Sequence, residues 1–505
     1  MKYVIVQAGG RGSRLETLTT NKPKALVPVD NLPMIFHLFK KYPEAKFLII
    51  ADYQKETFKR YLNSFAQADY EIIEANKKGT CSGMQDCMKM IPDNTPFMII
   101  WCDLVLSEMQ QERTLKSDTN YLGISKDFSC RWSYKNGKFE ESPSSENGVA
   151  GMFVFKNKAQ ISDVPEEGEF VRYLSRKEIR FSPLAMYGGI EIGTMLSYFQ
   201  NELNKPKCRP FNKMDFKGDI ILKYPINEQG EKLAQDEVSW YKMVTDYGYT
   251  NIPKLHGYNP IVMDRIKGDN VYQYAFLTNG FKKALLERIV ATLDELHNLL
   301  PVEKAVEEDC EVTYLTKTFD RLSLVKDLVP FAADETITIN GRKCTSIFAI
   351  KNRIIAEMRE MYPEKFCLIH GDCTFHNIMI ESENVRPILI DPRGYFGKTK
   401  FFGDKDYDWA KLYYSVVGNY DQFNRKNFSL EIKDNGVELM IVSNNWEQLH
   451  DYFFELTKAD CRKIKLLHAL IWLSLTTYAW EDYDAICGAF YKGTLELQDY
   501  LDYVK

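Results

Sequence analysis

A glycine-rich turn follows directly on the first apolar stretch of the chain. The stretch Tyr3–Val6 leads within a few residues into Gly9, Gly10 and Gly12, and Arg14 comes next. Glycines allow backbone N–H groups to approach phosphate oxygens closely, because no Cβ stands in the way, and arginine offers a planar cationic fork that fits phosphate. Taken alone, the glycines are equally compatible with a plain strand-to-helix turn.

Two companion features predict a phosphate and metal site around this turn. A loop with Lys22 and Lys24 follows the glycines, and Asp103 stands just beyond the apolar stretch Pro96–Trp101. Ligands of open α/β sheets bind at the carboxyl ends of the strands, where a carboxylate beside phosphate-binding groups is a natural ligand for Mg²⁺. We therefore expect the glycine turn, the lysines and Asp103 to lie together.

A second set of polar residues lies in the sequence LIHGDCTFHNIMI. Asp372 and Asn377 are separated by four residues, the spacing of a kinase catalytic loop, in which the Asp accepts the substrate proton and the Asn binds Mg²⁺. Asp391 ends the next apolar strand and fits a second metal ligand. His370 is expected to brace the loop, because Asp372 is the better placed base.

An upstream lysine and glutamate fit the clamp that kinases close on the phosphates of ATP. Lys223 ends the predicted strand Asp219–Lys223, and Glu237 lies on the predicted helix Glu231–Val244. A strand lysine that pairs with a helix glutamate holds the nucleotide phosphates in such enzymes. For Lys223, an ordinary surface position at a strand end is the alternative.

The elements that must position these residues form two groups. Strands that are apolar on both faces, with helices between them, predict a mainly parallel sheet in an α/β fold for the N-terminal part, and helices dominate later. The predicted N-terminal elements are the strands Tyr3–Val6, Lys46–Ile50, Tyr70–Ile73 and Pro96–Trp101, and the helices Met34–Lys40, Gln54–Phe65 and Cys81–Met90. Further along, the predictions are the strands Gly151–Phe155 and Ile220–Tyr224, and the helices Lys282–Leu300, Ser346–Met361, Ile464–Leu475 and Phe490–Tyr503.

The N-terminal motif resembles the signature of the sugar-phosphate nucleotidyltransferases, in the run AGGRGSRLETLTTNKPKALVPV. The resemblance covers about residues 1–200 and implies a Rossmann-like nucleotidyltransferase fold. It assigns binding of the nucleoside triphosphate to Ala8, Gly9, Gly10, Gly12, Arg14 and Lys24, with Arg14 and Lys24 also catalytic. The stretch NKKGTCSG, with Gly79 and Thr80, would contact the base, and Asp103 and Glu191 would bind the metal. Glu191 stands in GIEIGT, which is similar to the W-x-D-I-G-T stretch of the family.

One departure from this family concerns the acceptor. Members that act on sugar phosphates carry an E-K-P sequence whose lysine grips the sugar phosphate. The best match here is Glu140–Pro143, which reads EESP and lacks the lysine. The departure counts against a standard sugar 1-phosphate acceptor and favours a non-sugar or an unusual sugar.

The C-terminal part, about residues 208–505, resembles the aminoglycoside phosphotransferase and choline kinase superfamily. The resemblance implies a two-lobed protein-kinase-like α+β fold in which Asp372 is catalytic, Lys223 and Glu237 bind the nucleotide, and Asn377 and Asp391 bind Mg²⁺. Residues Pro260–Asp264 would form the hinge strand, Phe211–Lys217 the phosphate lid, and Asp404 and Asp408 a structural brace. The aromatic residues near the C-terminus fit either a quaternary-ammonium cage or an ordinary helical core: Trp472, Tyr478, Trp480, Tyr483 and Phe490.

Composition limits the classes of partner. A net charge of −5 over 505 residues argues against a nucleic-acid binder, and the longest uncharged apolar stretch falls short of the roughly 20 residues of a membrane span. The first apolar run leads straight into glycines, unlike a signal peptide, and eleven cysteines without CxxC pairs fit reduced thiols, so we expect a cytoplasmic protein. Two domains are expected, 1–205 and 206–505, the second with an N-lobe over about 208–265 and a helical C-lobe over about 270–505.

These features together predict a bifunctional enzyme. One half would phosphorylate a small hydroxyl metabolite with ATP, and the other would couple the phosphate ester to CTP or UTP and release pyrophosphate, giving a precursor for cell-surface glycan or lipid decoration. The alternatives are a choline kinase with phosphocholine cytidylyltransferase, a sugar 1-kinase with sugar-1-phosphate nucleotidyltransferase, or one active half beside a regulatory binding module. A homo-oligomer is compatible with each of these functions.

Overall fold

The computed structural model of the protein describes residues 1–107, 115–203 and 212–505. The chain separates into two compact units, the first with Met1–Lys205 and Trp480–Asp484, the second with Pro206–Ala479 and Ala485–Lys505. The predicted domain boundary at 205/206 and the predicted start of the N-lobe at 208 fall outside the described residues.

A mixed sheet forms the centre of the first unit. Within the described residues it has nine strands, with the order β10-β9-β11-β6-β1-β4-β5, while β8 pairs with β11 and β12. Strands β6, β1, β4 and β5 run parallel, which confirms the predicted mainly parallel α/β fold, and β11 runs antiparallel to β6. The strands of this unit are β1 Tyr3–Gln7, β2 Pro28–Val29, β3 Leu32–Pro33, β4 Lys46–Ala51, β5 Asp69–Glu74, β6 Phe97–Trp101, β7 Leu104–Val105, β8 Tyr121–Ser125, β9 Ser133–Lys135, β10 Lys138–Glu140, β11 Gly148–Phe155, β12 Ser182–Met186 and β13 Ile190–Glu191.

Helices cover this sheet, and buried apolar side chains fix them to it. Strand β4 reads KFLIIA and is buried from Phe47 onward, as expected for a strand covered on both faces. The helix predicted from Cys81 begins only at Met84, because Gly83 before it adopts a positive φ of 78°. The helices are α1 Met34–Lys41, α2 Lys55–Phe65, α3 Met84–Met90, α4 Phe170–Leu174 and α5 Met195–Leu203, with 3-10 turns at Ser13–Thr19, Lys24–Leu26 and Lys158–Ile161.

The second unit begins with a small antiparallel sheet of order β14-β15-β17-β16, against which helix α6 packs through Val238. A hairpin of β23 and β24 follows much later in the chain, directly after the loop predicted to be catalytic. The strands are β14 Asn212–Lys217, β15 Ile220–Pro225, β16 Leu255–Tyr258, β17 Ile261–Asp264, β18 Gly268–Asn270, β19 Glu303–Lys304, β20 Thr336–Ile339, β21 Arg342–Thr345, β22 Lys365–Leu368, β23 Ile378–Glu381, β24 Arg386–Leu389, β25 Tyr395–Phe396, β26 Thr399–Lys400, β27 Phe402–Gly403, β28 Phe428–Lys433 and β29 Gly436–Ile441.

Helices make up most of the remainder of this unit, as predicted. The helix predicted from Ser346 begins at Lys351, because the Ser346 hydroxyl accepts the Phe348 N–H at 3.3 Å and holds a turn there. The helices are α6 Glu228–Asp246, α7 Asn279–His297, α8 Glu307–Cys310, α9 Lys317–Val325, α10 Lys351–Glu360, α11 Lys405–Val416, α12 Tyr420–Asn424, α13 His450–Thr457, α14 Cys461–Leu475 and α15 Tyr483–Tyr503, with a π-helical turn at Glu311–Thr316 and 3-10 turns at Val271–Tyr274, Phe375–Asn377, Glu447–Leu449 and Thr476–Ala479. Within the described ranges, the search for a helix with the length and apolarity of a membrane span finds none.

Candidate active sites

The first site lies at the carboxyl edge of the parallel strands. Strands β1 and β6 pair with Gln7 opposite Trp101, and the Cys102 N–H donates to the Gln7 carbonyl at 3.2 Å. The glycine turn that follows β1 and the Asp103 that follows β6 therefore emerge at the same edge. The predicted proximity of the two features follows from this register.

Lys24 and Asp103 meet directly at this edge. The Lys24 ammonium donates to an Asp103 carboxylate oxygen, and both side chains are largely buried, with 10% and 15% of their surface exposed. Gly12, with φ of +66°, lies against Lys24: a Cβ on Gly12 would come within 3.1 Å of the Lys24 Cβ. The glycine turn is thus packed on the stem of the lysine that pairs with the predicted metal ligand.

Glu191 brings a second carboxylate to Asp103. Strand β13 pairs with β7, Glu191 opposite Leu104, and the Ile192 N–H donates to the Asp103 carbonyl at 2.9 Å. Burial and the Asp103 charge raise the pKa of Glu191, whereas the charges of Lys24 and Arg14 act in the opposite direction. A divalent cation between these two neighbouring acids would favour the charged form of Glu191 and would find carboxylate oxygens from both.

The stretch predicted to contact the base also reaches this edge. The Gln7 side-chain amide donates to the Thr80 carbonyl at 2.6 Å, and the Thr80 hydroxyl accepts the Phe170 N–H at 2.8 Å. Gly79 precedes Thr80 in the same turn. The Ala8 N–H donates to the Ile50 carbonyl at 2.9 Å, so a hydrogen bond within the sheet already uses this donor. Gly9 and Gly10 follow at the surface of the turn.

The second site is built on the hairpin of β23 and β24. Asn377 stands just before β23 and Asp391 just after β24, and the Ile390 N–H donates to the Asn377 carbonyl at 2.9 Å. The Asn377 side-chain amide donates to the Asp372 carboxylate at 3.0 Å and to its carbonyl at 2.7 Å. The structure therefore brings together the predicted base and the two predicted metal ligands.

Lys223 joins the predicted clamp to the predicted metal ligand. Its ammonium lies 2.7 Å from a Glu237 oxygen and 2.7 Å from an Asp391 oxygen. Burial opposes the charged form, but Asp391 and Glu237 outweigh it and raise the pKa of Lys223 above its usual value. Pairing with β17 places Lys223 opposite Ile261, which lies in the strand predicted as the hinge.

Buried polar groups hold the predicted catalytic loop in place. The Asp408 carboxylate accepts the N–H groups of His370 and Gly371 at 2.8 and 2.7 Å, and Asp404 caps helix α11 by accepting the Asp406 N–H at 3.0 Å. His370 Nε2 lies 3.0 Å from the Ile390 carbonyl, while its Nδ1 accepts the Asp372 N–H at 3.2 Å. This arrangement requires the neutral ring, and burial lowers the pKa of His370 accordingly.

A cavity of about 610 Å³ opens beside Asp372, Asp391 and Lys223. Sequence reasoning missed several cations that line it: Lys317, Arg321, Arg393 and Lys411. The sequence gives one local indication of these cations: Lys317 and Arg321 are four residues apart, a spacing that puts both on one face of a helix. Of the predicted aromatic residues, Tyr478 lines the cavity, whereas Trp472 and Phe490 are fully buried in helical packing. Trp480 and Tyr483 belong to the first unit, where they pack against Phe36 and Tyr61.

Two further expectations concern the phosphate lid and the metals. Phe211, at the start of the predicted lid, lies outside the described residues; Asn212–Lys217 forms strand β14, and Asn212 lines the cavity. Across the part of the chain that the structure describes, no group of three or more His, Cys, Asp or Glu side chains is arranged to hold a metal ion. The predicted ligands instead occur as pairs, Asp103 with Glu191 and Asn377 with Asp391.

Comparison with known proteins matches two families. Residues 4–119 match the family model of the MobA-like NTP transferase domain, and residues 226–393 match that of the Phosphotransferase enzyme family. These matches confirm both family resemblances seen in the sequence.

Curated relatives match about a fifth of the chain. The bifunctional protein GlmU of Methanococcus maripaludis is 24% identical over 110 residues, which are 21% of this chain and 26% of the relative. Mannose-1-phosphate guanyltransferase 2 of Candida glabrata is 29% identical over 109 residues, 20% of this chain and 30% of the relative. The chain thus spans less than a third of the length of these relatives.

Solved structures align with about two-fifths of the chain. HddC from Yersinia pseudotuberculosis is 21% identical, with a TM-score of 0.35, and the match covers 41% of this chain and all of that one. The CTP:phosphocholine cytidylyltransferase of Streptococcus pneumoniae is 19% identical, with a TM-score of 0.33 and the same coverage. The fold assignment of the first unit rests on its own strand order.

Proposed function

We propose that this chain, which joins an NTP transferase domain to a phosphotransferase-family domain, is a bifunctional enzyme that phosphorylates a small hydroxyl compound and then couples the product to a nucleotide. One observation carries the proposal: in each unit a buried lysine contacts the acid predicted to bind the metal, Lys24 with Asp103 and Lys223 with Asp391. Such a pair holds a cation where nucleotide phosphates would lie, and one such pair in each unit supports two reactions rather than one.

In the kinase reaction, Asp372 would accept the proton of the acceptor hydroxyl. The hydroxyl oxygen forms a bond to the γ-phosphorus of ATP, and the bond from that phosphorus to the bridging oxygen breaks, which releases ADP. Asn377 orients the Asp372 carboxylate by its hydrogen bond, and Lys223 binds the phosphates. Asn377 and Asp391 would hold Mg²⁺, whose charge would offset that of the phosphates.

In the transferase reaction, an oxygen of the new phosphate ester forms a bond to the α-phosphorus of CTP or UTP. The bond from that phosphorus to the next bridging oxygen breaks, and pyrophosphate leaves. Lys24 and Arg14 would neutralise the growing charge, while Gly9, Gly10 and Gly12 let the turn approach the triphosphate. Asp103 and Glu191 fit Mg²⁺ at this site, because two acids lie together with a lysine at one of them.

The proposal also covers the use of the product and the cellular location of the reaction. An NDP-activated product is the usual donor form for building glycans or decorated lipids, and we place the reaction in the cytoplasm. The described cysteines are free thiols, which supports that placement. One relative is a mannose-1-phosphate guanyltransferase, and GTP is therefore added to the nucleotides worth testing.

Two assays on the full-length chain test the proposal. ADP release with ATP and a panel of hydroxyl compounds reports the kinase, and pyrophosphate release with the phosphorylated products and CTP, UTP or GTP reports the transferase. Asp372→Asn should abolish only ADP release, and Asp103→Ala only pyrophosphate release; the exposed Asp327→Asn should affect neither. If one reaction is absent with every substrate, the alternative of one active half beside a binding module replaces the proposal.

A further inference from the structure

The wall of the kinase cavity around Asp372 is strongly cationic. Lys317 and Arg321 project from one face of helix α9, and Lys411 comes from helix α11. Lys411 lies 3.0 Å from an Asp372 oxygen, so one of these cations is paired with the predicted base. Lys317 makes no ion pair with any residue that the structure describes, and Arg321 donates to the carbonyl and hydroxyl of Ser474. Once Lys317 is protonated, the positive charge on this wall therefore exceeds what Asp372 neutralises.

The position of these cations separates them from the ATP clamp. ATP phosphates are assigned to Lys223, which is paired with Glu237 and Asp391. Lys411 instead contacts Asp372, the group that would take the proton of the acceptor. Lys317 interacts electrostatically with both Asp372 and Lys411. Lys317 and Arg321 thus stand on the acceptor side of the base.

Three of the tyrosine rings that line the cavity already lie beside cations of the protein itself. The Arg321 guanidinium lies 5.8 Å from the centre of the Tyr478 ring, and the Lys411 ammonium lies 5.8 and 5.7 Å from the Tyr407 and Tyr414 rings. A quaternary ammonium needs such faces free and would also meet like charge from these side chains. The cavity therefore opposes a cationic acceptor such as choline.

We propose that the hydroxyl compound phosphorylated in this cavity carries an acidic group, a carboxylate or a phosphate, which Lys317 and Arg321 bind. The inference rests on the proposed kinase function and specifies its substrate class. An arginine and a lysine one helical turn apart suit an anion with several oxygens, because both donate charge-assisted hydrogen bonds. The hydroxyl of the same molecule would then point toward Asp372.

The burial of Lys317 is consistent with an anionic ligand. Enclosure of Lys317, and then the charges of Arg393, Arg321 and Lys411, lower the pKa of Lys317 to about 6. With this pKa, Lys317 is largely uncharged at neutral pH without a bound anion, and a bound anion would raise its pKa and favour the charged form. Neutral and cationic acceptors would leave Lys317 largely uncharged.

The first experiment compares acceptors that share their hydroxyl groups and differ in charge. ADP release by the full-length chain is measured with glucose, gluconate, glucuronate and glucose 6-phosphate, with glycerol, glycerate and glycerol phosphate, and with choline. A carboxylate or phosphate member of a series should exceed its neutral counterpart in kcat/KM by at least tenfold, and the carboxylate and phosphate arms identify which acid is preferred. A neutral compound or choline as the best acceptor overturns the inference and leaves the kinase function standing. No ADP release from any acceptor overturns the kinase function itself.

The second experiment asks whether Lys317 and Arg321 bind the acceptor. With the best anionic acceptor, Lys317→Met and Arg321→Gln should each raise its KM roughly 10- to 100-fold, as loss of a hydrogen bond to a charged group does, with KM for ATP changed less than twofold. Lys317→Arg should restore most of the affinity, since it restores the charge. Lys433→Met, which removes an exposed cation elsewhere in the unit, is the matched control. A rise in KM for ATP with an unchanged KM for the acceptor would show that these cations serve the nucleotide and would overturn the assignment.

Discussion

The Lys223 ammonium lies 2.7 Å from both a Glu237 oxygen and an Asp391 oxygen, so one buried cation bridges the helix acid and the predicted metal acid. A nucleotide with its metal would take over the Asp391 contact and leave the Glu237 pair as the anchor of the lysine. The lysine is therefore part of the fold and is also predicted to bind phosphate, and the two roles can be separated by mutation.

Replacement of Lys223 by Met should impair both roles. We expect kcat for ADP release to fall by about 10²- to 10³-fold, as for the loss of a single charge-stabilising donor. The variant also leaves Glu237, whose side chain is 7% exposed, without this cation, so the free energy of unfolding should fall by ~3–5 kcal/mol. Steady-state kinetics and urea unfolding measure the two effects.

A double variant distinguishes the loss of activity from the loss of stability. Lys223→Met combined with Glu237→Leu removes both charges and should recover most of the lost stability without any recovery of activity. Equal instability of the single and double variants would mean that the ion pair is not what holds these elements together.

Gly193 controls the second carboxylate of the transferase site. A Cβ at this position would lie 2.0 Å from a Glu191 oxygen, so Gly193→Ala must move the Glu191 carboxylate from its present position. We expect pyrophosphate release to fall about 10- to 100-fold, as when a supporting group of a metal ligand is lost, with ADP release unchanged. The matched control is Gly280→Ala, where a Cβ meets nothing within 4 Å. Full transferase activity of Gly193→Ala would show that Glu191 takes no part.

Local sequence spacing predicted the parts of these sites that short backbone segments determine. Asp372 and Asn377 lie in one loop, and the hairpin that follows it brings Asp391 back beside Asn377. Asp103 could be placed near the glycine turn because parallel neighbouring strands end at one edge of the sheet. Helix ends were less accurate, because turns such as the one before Met84 depend on a single backbone angle.

Contacts between distant segments could not be predicted. Lys411 meets Asp372 because helix α11 packs beside the catalytic loop, and no spacing in the sequence reveals that packing. The same holds for Lys22, whose ammonium lies 3.0 Å from Asp482 and also contacts Asp484, both more than 450 residues away. From the sequence, Lys22 is expected only to lie close to the glycine turn together with Lys24, yet it is 1% exposed and engaged by these acids.

Lys22 is therefore expected to stabilise the fold rather than to bind phosphate. Lys22→Met leaves two buried acids without their cation and should lower the free energy of unfolding by ~3–5 kcal/mol in urea. Lys59→Met, at an exposed position of helix α2, should change it by less than ~0.5 kcal/mol. If Lys22→Met is as stable as the parent chain, the acids must be held by other groups.

The lowered pKa of Lys317 predicts a specific dependence of stability on pH. Its pKa is about 6 in the folded chain, against 10.5 for the unperturbed side chain, so between these values the unfolded state binds more protons than the folded one. The contribution of Lys317 to stability therefore falls as the pH drops from 10.5 to 6. Lys317→Met removes this term, so the variant should exceed the parent in stability, with the largest difference near pH 6 and a smaller one at pH 9. Urea unfolding of both proteins at pH 6, 7.5 and 9 measures it, and Lys433→Met should show no such trend. A constant difference across this range would contradict the lowered pKa, whereas greater stability together with weaker acceptor binding is what a residue kept for its charge should show.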